Sequence, residues 1–274
     1  MGLAVAKALA ERGSWNLHLL DINEERGIQA AKELPNATFH KTDATQYCSL
    51  ATTFKRVFTT SGGRLDFVFA NAGVIERKNF YARHPEGSEP PPELDQLSVD
   101  VDLKGVIATS YLALHYFRQS PGKGQGTSLV MTASCGGLYP SFYSPLYSAA
   151  KHGVVGFMRS VASHFRLDGI RANAICPTIV RTNLLDEDGW ANCPQNRFIP
   201  VETVTKVVLL PIDGDDMVDA NGKEVPGPET YGLAVEMSGE KYYFREPPEF
   251  CDDEMREVMA ATVLENQVGA VLTS

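Results

Sequence analysis

Long apolar runs are missing from this 274-residue chain: nowhere does it hold the roughly 20 consecutive apolar residues that a bilayer-spanning helix requires. An excess of positive charge is missing as well. Lysine and arginine number 25 against 34 aspartates and glutamates, giving a formal net charge of −9 and a pI near 5.2. A polyanion is repelled by such a surface at long range, so neither nucleic acid nor anionic lipid is an expected partner. The five cysteines, at 48, 135, 176, 193 and 251, are odd in number and scattered, without a CxxC pair. That pattern speaks against a disulfide framework or a zinc site and for a reducing, cytoplasmic compartment. The six histidines show no HExxH spacing, so no metal is expected. No repeat with a period of about 20–50 residues is present.

With 43% hydrophobic and 22% charged residues, the chain has enough apolar material for a single domain over residues 1–274. Met1 to Ala10 reads as a helix rather than a secretory leader, because Lys7, Glu11 and Arg12 interrupt it. Met1-Gly2 does not make a myristoylation signal, since Ala6 stands where Ser or Thr is wanted.

Helical and extended patterns then alternate. A helix from Met1 to Gly13 is followed by a strand from Asn16 to Leu20 ending in Asp21, a helix from Asn23 to Leu34, a strand from Thr38 to Lys41 and a helix from about Leu50 to Thr60. Leu65 to Ala70 is an apolar strand running into Asn71-Ala72-Gly73, and Leu129 to Ala133 is another. Strands apolar on both faces belong to a parallel sheet covered by helices on both sides, which predicts a doubly wound α/β fold. Arg83 to Pro92 reads as a surface loop, with a long helix from Glu93 to Gln119 after it. The Tyr147 helix to Leu167 and a strand from Arg171 to Cys176 follow. Residues 183–230 are punctuated by prolines, Tyr231 to Phe244 has the character of a last edge strand, and residues 245–274 form a tail with a short helix from Asp253 to Leu264.

Chemistry is concentrated in Tyr147-Ser148-Ala149-Ala150-Lys151, with Ser134 13 residues before the tyrosine. Residues i and i+4 share a helix face, which brings the Lys151 ammonium near the Tyr147 phenol. A positive charge about 5 Å from the phenolate, at an effective dielectric of about 20, favours ionisation by ~3 kcal/mol, or about two pKa units. Such a phenol exchanges a proton with an alcohol near neutral pH. Ser134, ending a strand before the Gly136-Gly137 turn, is placed to hold a substrate oxygen.

These residues resemble the short-chain dehydrogenase/reductase family, in its compact single-domain, 15-hydroxyprostaglandin dehydrogenase-like branch. Further landmarks match in order: Gly2 opening a helix, Asp21 after a strand, Asp43-Ala44, Asn71-Ala72-Gly73, and Pro177 through Thr182. The resemblance implies a Rossmann-like domain and hydride transfer between a nicotinamide cofactor and a secondary alcohol or ketone. Ser134, Tyr147 and Lys151 would be catalytic, with Tyr147 as acid and base. Gly2, Asp21, Asp43, Asn71, Ala72, Gly73, Tyr147, Lys151, Pro177, Val180 and Thr182 would meet the cofactor. Asp21 implies NAD over NADP, because a carboxylate there repels a 2′-phosphate. Residues 183–230 would cover the substrate, a lipid or natural product by family context. The long helix and the Tyr147 helix would form a homodimer or homotetramer contact, eased by Ala149, Ala150, Gly153 and Gly156.

Several positions depart from the family pattern. The family's first strand and most of its TGxxxGxG loop are absent before Gly2, and the expectation is a native start some 10–15 residues earlier. Asp102, in Asp102-Leu103-Lys104-Gly105, stands where the family commonly has asparagine; it joins the catalytic set and would pair with Lys151 and weaken its effect on Tyr147. Thr178 replaces a glycine. These departures keep a second reading open, a catalytically impaired dinucleotide-binding or scaffolding protein. A sugar-nucleotide epimerase also uses YxxxK but needs a larger C-terminal domain. His152, beside Lys151, is expected to be surface or packing, while Tyr139, Phe142 and Tyr143 either line a substrate pocket or pack in the core.

Overall fold

The computed structural model describes residues 1–87 and 89–263. They divide into two units, 1–244 and 245–263. In the second, the helix Asp253–Ala260 is capped by Asp252, whose Oδ1 accepts from Met255 N at 2.7 Å. Leu264, the expected end of that helix, and Ser88, inside the expected Arg83 to Pro92 loop, lie outside the described residues.

The first unit is a doubly wound α/β fold. Its strands are β1 (Leu17–Asp21), β2 (Ala37–Lys41), β3 (Phe67–Ala70), β4 (Ser128–Thr132), β5 (Arg171–Pro177), β6 (Met217–Val218), β7 (Glu224–Val225), β8 (Ala234–Ser238) and β9 (Lys241–Phe244). The central sheet runs β3-β4-β5-β8-β9, parallel except for β9. Alternation along β4 divides the core: Leu129 and Met131 face the helices Tyr47–Thr60, Val106–Gln119 and Pro145–Leu167, while Val130 faces Gly2–Glu11 and Val201–Asp213. Every residue of β4 is buried, as a strand covered on both sides must be.

The β-structure is split. Strands β1 and β2 form a separate parallel pair, and no ladder joins β1 to β3. The two edges nevertheless share one apolar cluster: Leu17 and Leu19 meet Phe67 and Phe69, and the Trp15 and Phe67 rings cross at 79° with centroids 6.5 Å apart. In β3, Phe67, Val68 and Phe69 are only half-buried. One edge each of β1 and β3 makes no ladder among the described residues.

Three expectations need correction. Tyr231 to Phe244 is not one strand but the hairpin β8–β9, turning at Gly239 with φ of 59°. Residues 183–230 contain an ordered helix, Val201–Asp213, whose Val204, Val207, Val208 and Pro211 recur at helical spacing and are buried. Among the small residues expected at a subunit contact, Ala150 is fully buried within the chain, and a Cβ at Gly153 would lie 2.9 Å from Leu103. Ala149 remains exposed, and a Cβ at Gly156 would meet open space.

Candidate active site

The candidate residues gather near the carboxyl ends of β3, β4 and β5. Ser134 follows β4 and caps a short 3-10 turn, Cys135–Gly137, its Oγ accepting from Gly136 N at 3.1 Å. Glycine is needed in this turn: a Cβ at Gly137 would sit 2.5 Å from the Lys151 carbonyl oxygen, so only a bare backbone lets the turn touch the Tyr147 helix. A Cβ at Gly136 would lie 3.5 Å from Tyr147 Cε1 and 3.6 Å from Ser134 Oγ. Serine and tyrosine therefore border the same small space, and they interact by hydrogen bonding. Beneath the phenol, Lys151 Nζ stands 5.5 Å from the ring centroid.

Lys151 is held from behind. Its Nζ donates to Thr132 O at 2.9 Å and lies 3.2 Å from Asp102 Oδ2, both side chains being buried. The contact is a charge pair without hydrogen-bond alignment at Oδ2, while Asp102 Oδ1 accepts from Val74 N at 2.8 Å. Asp102 sits in a π-helical stretch, Asp100–Gly105, inside the helix spanning residues 97–119. A Cβ at Gly73 would lie 3.5 Å from Asp102 Oδ2 and 3.6 Å from Lys151 Nζ, so the backbone after β3 runs directly over the ion pair.

Electrostatics correct one expectation. Burial pushes the Tyr147 phenol up to about 12; the Ser134 hydrogen bond opposes this, and the Asp102 carboxylate adds to it. Burial, the largest cause, keeps the phenol from becoming acidic as expected. Desolvation holds Lys151 below the ordinary lysine range and Asp102 above the carboxylate range, each resisted by attraction to the other. The anticipated pairing of Asp102 with Lys151 is present.

Of the cofactor candidates, Asp21, Asp43, Asn71 and Pro177 sit at or just after the ends of β1, β2, β3 and β5. Gly2 opens a ten-residue helix with no side-chain cap and no acidic residue in its first turn, and a Cβ there would lie 3.0 Å from Asn71 Nδ2. Asn71 Oδ1 accepts from Thr132 Oγ1 at 3.4 Å, bracing β3 against β4. Asp21 is exposed at the end of β1, with Oδ1 accepting from Asn23 N at 2.8 Å. Asp43 Oδ1 accepts from Thr45 N and Oγ1 at 2.9 and 2.7 Å. Pro177 ends β5, and the Val180 side chain is buried in the core. Thr182 Oγ1 accepts from Leu184 N at 3.2 Å, and its carbonyl accepts from Trp190 Nε1 at 3.1 Å. Ala72 and Gly73 are exposed.

His152 back-bonds along its helix, Nδ1 to Ser148 O at 2.9 Å, and takes no part in the site. Tyr139, Phe142 and Tyr143 are exposed rather than core, Phe142 at 81% and Tyr143 at 78%. Two participants had no sequence signal. Thr132 acts through a carbonyl oxygen, and Glu76 reaches Leu146 N and Tyr147 N across 70 and 71 residues.

A doubly wound sheet whose strand ends gather a serine, a tyrosine and a buried lysine defines a nucleotide-dependent oxidoreductase class. The short chain dehydrogenase family profile matches residues 1–190, and the chain belongs to that family. It is 59% identical to the short-chain dehydrogenase/reductase prx7 of Penicillium rubens, covering 99% of each chain. It is 34% identical to the human 15-hydroxyprostaglandin dehydrogenase [NAD(+)], over 68% of this chain and 66% of that one. A solved Haemophilus influenza oxidoreductase structure with bound NAD shares the fold, with a TM-score of 0.66 at 22% identity, covering 85% of this chain and 88% of that one.

Proposed function

We propose that this protein is an NAD-dependent oxidoreductase interconverting a secondary alcohol and a ketone, with an apolar substrate of lipid or natural-product type. The observation that carries the reading is the shared space bordered by Ser134 Oγ and the Tyr147 ring, with Lys151 beneath it. The residues present suit a dinucleotide. The uncapped start of the Gly2 helix offers free N–H groups to a phosphate, and glycine at 73 keeps Cβ volume away from the face over Lys151. Asp21 would hold the adenosine ribose and disfavour a 2′-phosphate, Asp43 would meet the adenine, and Asn71, Ala72, Gly73, Pro177, Val180 and Thr182 would border the rest. When bound, the nicotinamide supplies or accepts the hydride.

Ser134 holds the substrate oxygen while Tyr147 gives it a proton in reduction and takes one in oxidation. With the phenol up at about 12, Tyr147 is protonated at neutral pH and suited to donate. Lys151 orients the phenol and hydrogen-bonds the nicotinamide ribose. Exposed Phe142 and Tyr143 beside the tyrosine supply an apolar rim, which supports a hydrophobic substrate covered by residues 183–230. A homo-oligomer fits the exposed Ile107 and Tyr111 on the long helix.

The test is turnover, followed by nicotinamide absorbance, on apolar secondary alcohols and ketones with NAD and with NADP. Turnover with NAD preferred supports the reading; saturable NAD binding without turnover on any of them would leave the second reading, an impaired dinucleotide-binding protein. That second reading draws on the high phenol pKa and the split sheet.

A further inference from the structure

Tyr147 is the third residue of the helix Pro145–Leu167, so its placement depends on how that helix begins. The first N–H groups of a helix have no partner within it. Pro145 has none to offer, which leaves Leu146 N and Tyr147 N. Ser144 stands where a capping side chain would take them, yet its Oγ is engaged with Ser141 Oγ at 2.7 Å and makes no cap. Glu76 takes both instead: Oε2 accepts from Leu146 N at 2.8 Å and from Tyr147 N at 3.3 Å. A carboxylate at this end also opposes the positive pole of the helix dipole.

Glu76 lies on the loop leaving β3, after Asn71-Ala72-Gly73. Two residues before it, Val74 N donates to Asp102 Oδ1, and Asp102 in turn holds Lys151. One short loop thus grips the Tyr147 helix twice, at its first turn through Glu76 and one turn further on through Asp102 and Lys151. The second glutamate oxygen, Oε1, is buried and has no partner among the described residues, so the carboxylate is kept in place by the two amides rather than by solvation.

We propose that Glu76 is a positioning residue: its carboxylate sets the first helical turn so that Tyr147 faces Ser134, and ties that turn to the loop expected to meet the cofactor. The activity arm of the test rests on the proposed function above; the exchange arm does not. Glu76→Ala and Glu76→Gln are made in the full chain, and hydrogen exchange is resolved at Leu146 and Tyr147 alongside thermal midpoint, kcat and cofactor Kd. Loss of the cap in Glu76→Ala should speed exchange at both amides and lower kcat by roughly tenfold each. Cofactor Kd should stay within about twofold of the unaltered protein. Glu76→Gln, whose carboxamide oxygen accepts the same two bonds, should restore both. Unchanged exchange in Glu76→Ala overturns the proposal, as does faster exchange with kcat intact. Equal losses in both variants would assign the effect to charge and overturn the capping account. If the unaltered chain turns over no substrate, the proposed function fails, while exchange still decides whether Glu76 sets the turn. A Glu76→Ala variant that does not fold leaves the exchange of Glu76→Gln to decide: protection equal to the unaltered protein is expected, and lost protection overturns the account.

Discussion

Lys151 and Asp102 form a buried ion pair, Nζ to Oδ2 at 3.2 Å, beside the Tyr147 phenol, whose ring centroid lies 5.5 Å from Nζ. Burial is the main cause that raises the phenol pKa, and the Asp102 carboxylate adds to it. Replacing the carboxylate with a carboxamide removes that negative charge while keeping an oxygen for Val74 N. In Asp102→Asn, the ionisation governing the rate should therefore move to lower pH. A pH–rate profile that does not move would show that the pair has no hold on Tyr147.

Alcohol oxidation needs the phenolate and ketone reduction the phenol. Since burial raises the phenol to about 12, oxidation should accelerate steadily from neutral into alkaline pH, while reduction stays flat over the same range. Steady-state rates in both directions across that interval check the sign.

How much of this was legible in the sequence follows from which signals are local. Tyr147 and Lys151 share a helix face because of a four-residue spacing, and Ser134 is marked by its apolar strand and the glycines after it. The apolar run from Leu129 to Ala133 marks β4 by the same kind of local signal. The prolines that punctuate residues 183–230 hide the Val201–Asp213 helix, which accommodates Pro211 in its last turns, although its valines recur at helical spacing. The phenol pKa was not readable, because burial decides it and burial arises from the whole fold. Glu76 escaped notice since a bond spanning 70 residues leaves no mark in the local pattern.

Gly137 marks the point where the Ser134 turn touches the catalytic helix. A methyl group there would stand 2.5 Å from the backbone oxygen of Lys151, which cannot swing aside as a side chain can. Gly137→Ala should cost ~1–3 kcal/mol of stability and separate Ser134 from Tyr147, lowering kcat more than cofactor affinity. Chemical denaturation and kinetics on the same preparation measure the two effects.

His18 Nδ1 and His40 Nε2 lie 3.0 Å apart between β1 and β2, and His18 Nε2 lies 3.0 Å from Ser61 Oγ. Burial lowers both pKa values, and at His40 the nearby His18 and Arg56 charges lower it further. Groups depressed in the folded state contribute stability that is complete above the unfolded value, near 6.5, and lost as pH falls through the folded values. The thermal midpoint should thus drop as pH falls below about 6.5, and His40→Gln should flatten that drop. Thermal unfolding across a pH series tests it.

Asp21 should set cofactor choice. Asp21→Ala removes a charged acceptor at the end of β1, so affinity for NAD should fall roughly tenfold and discrimination against NADP should shrink. Titration of the two dinucleotides by tryptophan fluorescence supplies both numbers.

Tyr147→Phe deletes one oxygen atom and leaves the ring, the helix and Lys151 where they are. Measured together, NAD affinity and single-turnover hydride transfer in this variant judge the account most directly. Binding within about twofold of the unaltered protein with turnover abolished is the predicted result. Turnover close to that of the unaltered protein would contradict the assignment of Tyr147 as the group that moves the proton.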